Sequence, residues 1–484
     1  MEHYEVWGGA ELALDRAGSV SLADQISRHI EVAIAEGSLM PGGRLPSWRD
    51  LATQLGVARG TVRAAYDKLI DKELLVTAGS AGTRVVDPLP ATISPSSAMD
   101  SLLPTDFHYR TEQTLVFQMG VPAHDTFPAT LWSRLQREAV RSTALQTGYT
   151  DPRGIAELRS AIASHVAIAR GIECSPEQII VTAGYRGGLA TALRAINATG
   201  RQAWVEDPGY PVTRIALELS GVQPVPVPID EEGMVVERGR ELAPRASLAI
   251  VTPGQQAPSG VTMSPERRND LLRWANEEGG WIIEDDYLAE LHPAGRHSNA
   301  LASGMGAERV IHIGTFSKTI SPTLGTGFIV APLPLARRLI DIATWLGGPP
   351  NATLQTALAR FLHEGHYLRH LRRMRALYAQ RRQCLIDALD AAGVETKLAA
   401  GLSVLLQLPN GFDDQRFSLE ARRAGYAPAP LSPWFAAASR SRSGLLLGIA
   451  NVLDRRVEQD CKRLLGMIGM PVNVSSNATL FAAG

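Results

Sequence analysis

The chain has 484 residues, 45% of them hydrophobic and 20% charged, with 48 basic against 49 acidic side chains. The hydrophobic share excludes disorder throughout, and the near-zero balance excludes a polybasic coat, so any nucleic-acid contact must come from local arrangement. Cys174, Cys384 and Cys461 are too few and too scattered for a disulfide framework or a metal cluster. The length predicts roughly three domains on a prior of about 100–200 residues each. The first five residues are acidic and lack an apolar core, and no apolar run approaches the ~20 residues that span a bilayer. The expectation is a reduced, cytoplasmic protein with neither membrane partner nor metal.

Five of the 48 basic residues are lysines, at 68, 72, 318, 397 and 462, which leaves 43 arginines. A lone lysine inside an apolar stretch therefore needs its own explanation.

In chain order, Ser21–Glu36 carries Leu22, Ile26, Ile30, Ala33 and Ile34 on one helical stripe behind a serine cap. Ser47 caps a short helix through Leu55, closed by Gly56. A third helix over Arg59–Asp71 places Val62, Tyr66 and Leu69 on one face. Two short apolar runs, 74–77 and 83–86, flank the turn Gly79-Ser80-Ala81-Gly82 and read as a hairpin. The organisation expected is a module over 13–86, a Pro- and Ser-rich linker over 87–112, and a larger domain over 113–484. In that last part helices alternate with apolar strands near 178–182, 202–206, 248–252, 281–284 and 310–314, which predicts a parallel, doubly wound sheet.

Helix, turn, second helix and β-wing is a layout that sets a helix in the DNA major groove. Residues 44–68 hold Arg44, Arg49, Arg59, Arg63 and Lys68 against Asp50 and Asp67. The segment from Leu45-Pro46-Ser47-Trp48-Arg49 to Arg59-Gly60-Thr61-Val62-Arg63, Tyr66 and Leu69 resembles the GntR superfamily of winged-helix regulators. The resemblance implies an operator of double-stranded DNA faced by Arg49, Arg59, Gly60, Thr61 and Arg63, with Gly82 at the wing tip. Ala58 stands where the family usually has Ser or Thr, which removes a possible helix cap.

In the larger domain an apolar strand runs into Gly314-Thr315-Phe316-Ser317-Lys318-Thr319. Lysine, and not arginine, is required where an amine must join an aldehyde cofactor. A second apolar strand ends in Glu284-Asp285-Asp286-Tyr287, and the carboxyl ends of neighbouring parallel strands line one crevice. A carboxylate there can hold the protonated pyridine nitrogen of pyridoxal 5'-phosphate. Taken singly, Asp285 could be a helix cap, Tyr210 a turn aromatic and Lys318 a surface lysine.

Together with Tyr149-Thr150-Asp151-Pro152-Arg153-Gly154, Val181-Thr182-Ala183-Gly184 and Glu206-Asp207-Pro208-Gly209-Tyr210, these segments resemble the fold-type-I aminotransferase domain. Winged helix, linker and this domain resemble the MocR-type subfamily of GntR regulators along essentially the whole chain. The resemblance implies that pyridoxal phosphate joins Lys318, pairs its ring nitrogen with Asp285 and its ring hydroxyl with Tyr287, and stacks on Tyr210. Thr315, Ser317, Tyr185 and Arg186 would lie near the phosphate, and Tyr149 would reach a partner subunit's phosphate in a homodimer.

Several positions depart from the family. The phosphate arginine expected seven residues after the lysine is Gly325, the His and aromatic of one loop are Gln255 and Ala257, and the carboxylate-binding arginine aligns with Leu446. Arg186 is offered as the replacement phosphate cation, with a solvent-facing Arg186 as the alternative. The function expected is a transcription regulator sensing a small amine, an amino acid or pyridoxal phosphate itself. An active aminotransferase with an appended DNA-binding module, a weak half-reaction, and a purely structural C-terminal domain stay open.

Overall fold

The computed structural model describes residues 2–6, 10–16, 18, 20–35, 38–77, 82–87, 114–144, 146, 148–291, 299–348, 351–394, 396–398, 401–436 and 442–469. The backbone divides into two compact units, Met1–Ser101 and Leu102–Gly484. Residues 79–81 of the expected wing turn and nearly all of the expected linker lie outside the described residues.

The first unit is built on the three expected helices, Leu22–Ala35, Trp48–Gln54 and Arg59–Asp71. Ser47 caps the second through its hydroxyl, which accepts from the Asp50 amide at 3.2 Å, whereas Ala58 offers the third no side-chain cap. Ile26, Ile30, Leu51, Leu55, Val62 and Leu69 meet in one buried core. Lys68 and Lys72 on the third helix pair with Asp24 and Glu31 on the first at 2.5 and 2.6 Å. Strands Leu75–Thr77 and Thr83–Val85 form the antiparallel hairpin. An additional hairpin precedes the helices, Glu2–Val6 against Ala10–Leu14, and Leu14 joins the core. The reading of the module as beginning at residue 13 missed these strands, whose short polar-rich stretch carries little apolar periodicity.

The second unit contains an eight-stranded sheet in the order Ile179–Thr182, Gly327–Val330, Val310–Thr315, Trp281–Asp286, Leu248–Val251, Gln202–Asp207, Gln223–Asp230 and Gly233–Met234. The expected parallel sheet is found at the centre, but the sheet is mixed: Gly327–Val330 runs antiparallel to both its neighbours, and Gly233–Met234 antiparallel to Gln223–Asp230. Connection 316–326 holds one short 3-10 turn and no α-helix, too little for the crossover that parallel neighbours need. The four central strands from Val310–Thr315 to Gln202–Asp207 are parallel, so their carboxyl ends share one edge. A separate antiparallel sheet, unforeseen from sequence, follows: Thr396–Leu398, Ser403–Gln407, Gly444–Gly448 and Ala429–Pro430.

Candidate functional site

Strand alternation sorts the three carboxylates of Glu284-Asp285-Asp286. Successive side chains of a strand point to opposite faces. Glu284 and Asp286 turn to one face, where His312 Nδ1 meets Glu284 at 3.0 Å and Arg170 Nε meets Asp286 at 2.5 Å. Glu290 joins the same buried network through His165 and the Tyr367 hydroxyl. A cavity lined by Arg170, Asp286, His312, Thr319 and Tyr367 lies among these groups. Asp285 turns to the other face, towards Tyr185 and away from that network.

Asp285 is 7% exposed and its Oδ1 has no hydrogen-bond partner. Burial, reinforced by the charge of Asp286 and opposed by Lys318, holds its carboxyl well above the ordinary range. The Tyr287 hydroxyl is likewise buried and unpartnered, and burial raises it. Lys318, half-buried beyond the strand Val310–Thr315, donates from Nζ to the Gly120 carbonyl at 2.7 Å. Gly120 adopts φ +72°, a left-handed conformation that favours glycine, and a Cβ there would stand 2.9 Å from that nitrogen and shift the end of the lysine side chain. Thr315 Oγ1 accepts from the Ser317 amide at 3.2 Å, shaping the turn before Lys318. Tyr210 packs 5.8 Å, centroid to centroid, from Trp434.

An unpartnered carboxylate oxygen, an unpartnered phenol and an amine on neighbouring strand ends form a donor set that fits pyridoxal phosphate, whose ring nitrogen, phenolic oxygen and aldehyde need those three groups. The phosphate end is less conventional. Tyr185 stands in the first turn of the helix Gly184–Ala195, where free amides favour an anion. Its hydroxyl is 3.0 Å from Thr213 Oγ1. Arg186 is exposed on that turn, and Tyr149 is fully exposed. Gly325 closes the turn Pro322–Leu324 at φ +53°, and a side chain there would meet nothing within 4 Å. The glycine therefore reflects backbone conformation rather than crowding.

The sequence reading missed the Gly120 carbonyl, the Arg170–Asp286 and His312–Glu284 pairs, and Trp434 beside Tyr210. Only the run of charges around 284–290 hinted at any of them.

Glu206 gives the unit a pH dependence. Burial pushes its carboxyl up to about 7, against hydrogen bonds from Thr252 and Gln256. The folded value exceeds the ordinary 4.5, so the folded state holds the proton more tightly. This contribution is fully present below pH 4.5 and is lost as pH rises through about 7. The loss should amount to about 3 kcal/mol, at roughly 1.4 kcal/mol per unit. Urea midpoints of the wild type should fall between pH 5 and pH 8, and those of Glu206→Gln should change less. Glu284 and Glu290 act with the opposite sign. Burial alone would raise both, but His312 and His165 respectively hold them at about 2, so their contribution is lost only as pH falls from 4.5 towards that value.

In the first unit Arg49, Arg59, Gly60 and Arg63 are exposed and Thr61 and Gly82 half-buried. Arg63 stands 3.9 Å from Asp67, with both side chains more than 60% exposed, and Arg49 lies over the Trp48 ring at 4.8 Å. Arg44 and Arg84, outside the expected DNA-facing set, pair backbone to backbone in an antiparallel β-bridge at the wing base, where a Cβ on Gly82 would stand 3.2 Å from Arg44 Nε.

A winged helix joined to a fold-type-I domain defines a helix-turn-helix transcription regulator with an aminotransferase-like domain. Residues 22–85 match the bacterial regulatory proteins of the gntR family and residues 113–418 match aminotransferase class I and II. The chain belongs to the MocR-type branch of the GntR regulators. It is 33% identical over 471 residues to the probable rhizopine catabolism regulatory protein MocR of Rhizobium meliloti, covering 94% of this chain and 95% of the relative. It is 37% identical over 382 residues to the pyridoxine biosynthesis transcriptional regulator PdxR of Corynebacterium glutamicum, covering 78% and 81%. Among solved structures, an archaeal alanine:glyoxylate aminotransferase matches with a TM-score of 0.68 at 25% identity, covering 74% of this chain and 91% of that one. Among the described residues no helix is long and apolar enough to cross a membrane.

Proposed function

We propose that this regulator holds pyridoxal phosphate on its second unit and that the cofactor, alone or joined to an amine, changes the affinity of the first unit for its operator. The convergence of Lys318, Asp285 and Tyr287 on one edge of the sheet carries the reading. When bound, pyridoxal phosphate presents an electrophilic aldehyde carbon and an electron-withdrawing ring to amines. Lys318 would be the point of attachment, its nitrogen aimed by the Gly120 carbonyl. Asp285 would accept the protonated ring nitrogen, a cation that would return its burial-raised carboxyl to the ionised form. Tyr287 would donate to the ring oxygen, and Tyr210 would stack on the ring. Thr315, Ser317, Tyr185 and the amides beginning Gly184–Ala195 would hold the phosphate, with Arg186 supplying charge from the helix turn. The full exposure of Tyr149 supports a homodimer in which it reaches the partner's phosphate. The functional division is a DNA-binding module running to residue 86 and including the hairpin Glu2–Val6 with Ala10–Leu14, a linker over 87–112 and a sensing domain over 113–484.

Coupling requires a ligand with different affinities for two states of the protein. Its usual size, roughly 1–3 kcal/mol, corresponds to about 5–150-fold in DNA affinity.

DNA recognition is tested with duplexes selected by the full chain from a random-sequence pool. Arg59→Ala and Arg63→Ala should each cost about 1–3 kcal/mol and relax base preference at one position if the arginine forks onto a guanine. Loss of a phosphate contact should instead weaken all duplexes alike and lower the salt slope. Unchanged affinity in both variants at moderate salt would remove this helix from the interface.

A further inference from the structure

Beside the groups gathered near Lys318 lies a patch of hydrocarbon, called here the roof. Ala257, Leu431, Trp434 and Leu446 form one buried cluster, with Met119, Tyr210 and Tyr287 packed against it. Two links tie this roof to the candidate site. Met119 immediately precedes Gly120, whose carbonyl holds Lys318 Nζ, and Tyr287 lies two residues beyond Asp285. Leu446 has no exposed surface, and it pairs across its sheet with Leu405 and Ala429.

Charge is supplied sparingly here. Arg214 reaches the edge of the roof, but its Nη1 donates to the Gly209 and Trp434 carbonyls and its Nη2 to Pro433. With the Tyr287 hydroxyl given to the ring oxygen, the remaining unpartnered donor among the described roof groups is the Trp434 indole N–H, on a side chain only 6% exposed. It offers a hydrogen bond without a charge.

We infer that the chamber under this roof takes a primary amine with an apolar body and no carboxylate, and that Leu446 and Trp434 set this choice. The inference rests on the reading of Lys318 as the attachment point for pyridoxal phosphate. A carboxylate brought against Leu446 gives up its hydration and meets one neutral N–H, which does not offset the loss. An aliphatic or aromatic body in the same place gains by leaving water.

The test uses two reduced conjugates of pyridoxal phosphate, one with 3-methylbutylamine and one with leucine. They differ only in the carboxylate, and neither needs Lys318 to react. Calorimetric titration into the full-length protein freed of cofactor should show the amine conjugate binding at least tenfold tighter. Leu446→Arg should reverse that order, while Leu446→Met, which conserves volume, should leave it as it is. The wild-type ratio decides the inference even where the arginine variant fails to fold. Equal or tighter binding of the leucine conjugate overturns the inference and leaves the cofactor reading standing, because both conjugates have then bound. Binding of neither conjugate, together with no binding of pyridoxal phosphate, overturns the cofactor reading and the inference with it.

Discussion

Lys318→Ala should abolish covalent attachment of pyridoxal phosphate and leave the fold in place. Of the other lysines, Lys68 and Lys72 belong to the first unit and are paired with Asp24 and Glu31. Lys397 belongs to an edge strand of the small antiparallel sheet, and Lys462 to the helix Val457–Ile468. None of these elements contributes to the eight-stranded sheet, whereas Lys318 follows its strand Val310–Thr315 directly. Borohydride reduction and peptide mapping should therefore place the label on Lys318, and the variant should lose its visible absorbance band. The fold should persist because the hydrogen bond from Nζ to Gly120 is worth only about 1 kcal/mol net. A label on Lys397 or Lys462 would contradict the assignment.

Arg170→Met should cause one of the largest losses of stability available to a single substitution in the second unit. Arg170 is 2% exposed, and its Nε lies 2.5 Å from an Asp286 carboxylate whose side chain is 8% exposed. Removing one member of a buried pair strands the other charge, at a cost of about 3–5 kcal/mol. The denaturant midpoint should fall accordingly, with little change in slope. Replacing both members by apolar residues, as in Arg170→Met with Asp286→Leu, should recover much of the loss, since desolvation then disappears with the charges. A fall below about 1 kcal/mol in the single variant would mean that the pair behaves as a screened surface contact.

The helices of the first unit were legible because each begins or ends on a local signal, Ser47 and Gly56 for the second, and repeats apolar residues at helical spacing. The hairpin Glu2–Val6 with Ala10–Leu14 was not, because its pairing carries no such periodicity. In the second unit the strands were legible as apolar runs. The direction of Gly327–Val330 depends on how a short connection turns, which composition does not encode. Lys318 stood out through the scarcity of lysine and Asp285 through its place at a strand end. The pairing of Arg170 with Asp286, separated by 116 positions along the chain, and of Lys318 with Gly120, separated by 198, exists only once the chain has folded.

The central claim is that cofactor occupancy is communicated to DNA. It is tested most directly by the affinity of the full-length chain for a selected duplex, measured by fluorescence anisotropy at fixed salt with and without saturating pyridoxal phosphate. The account predicts at least a fivefold difference in the wild type, at the lower end of ordinary coupling, and no difference in Lys318→Ala. Equal affinities in the wild type, under conditions where its visible absorbance band is fully formed, would contradict it.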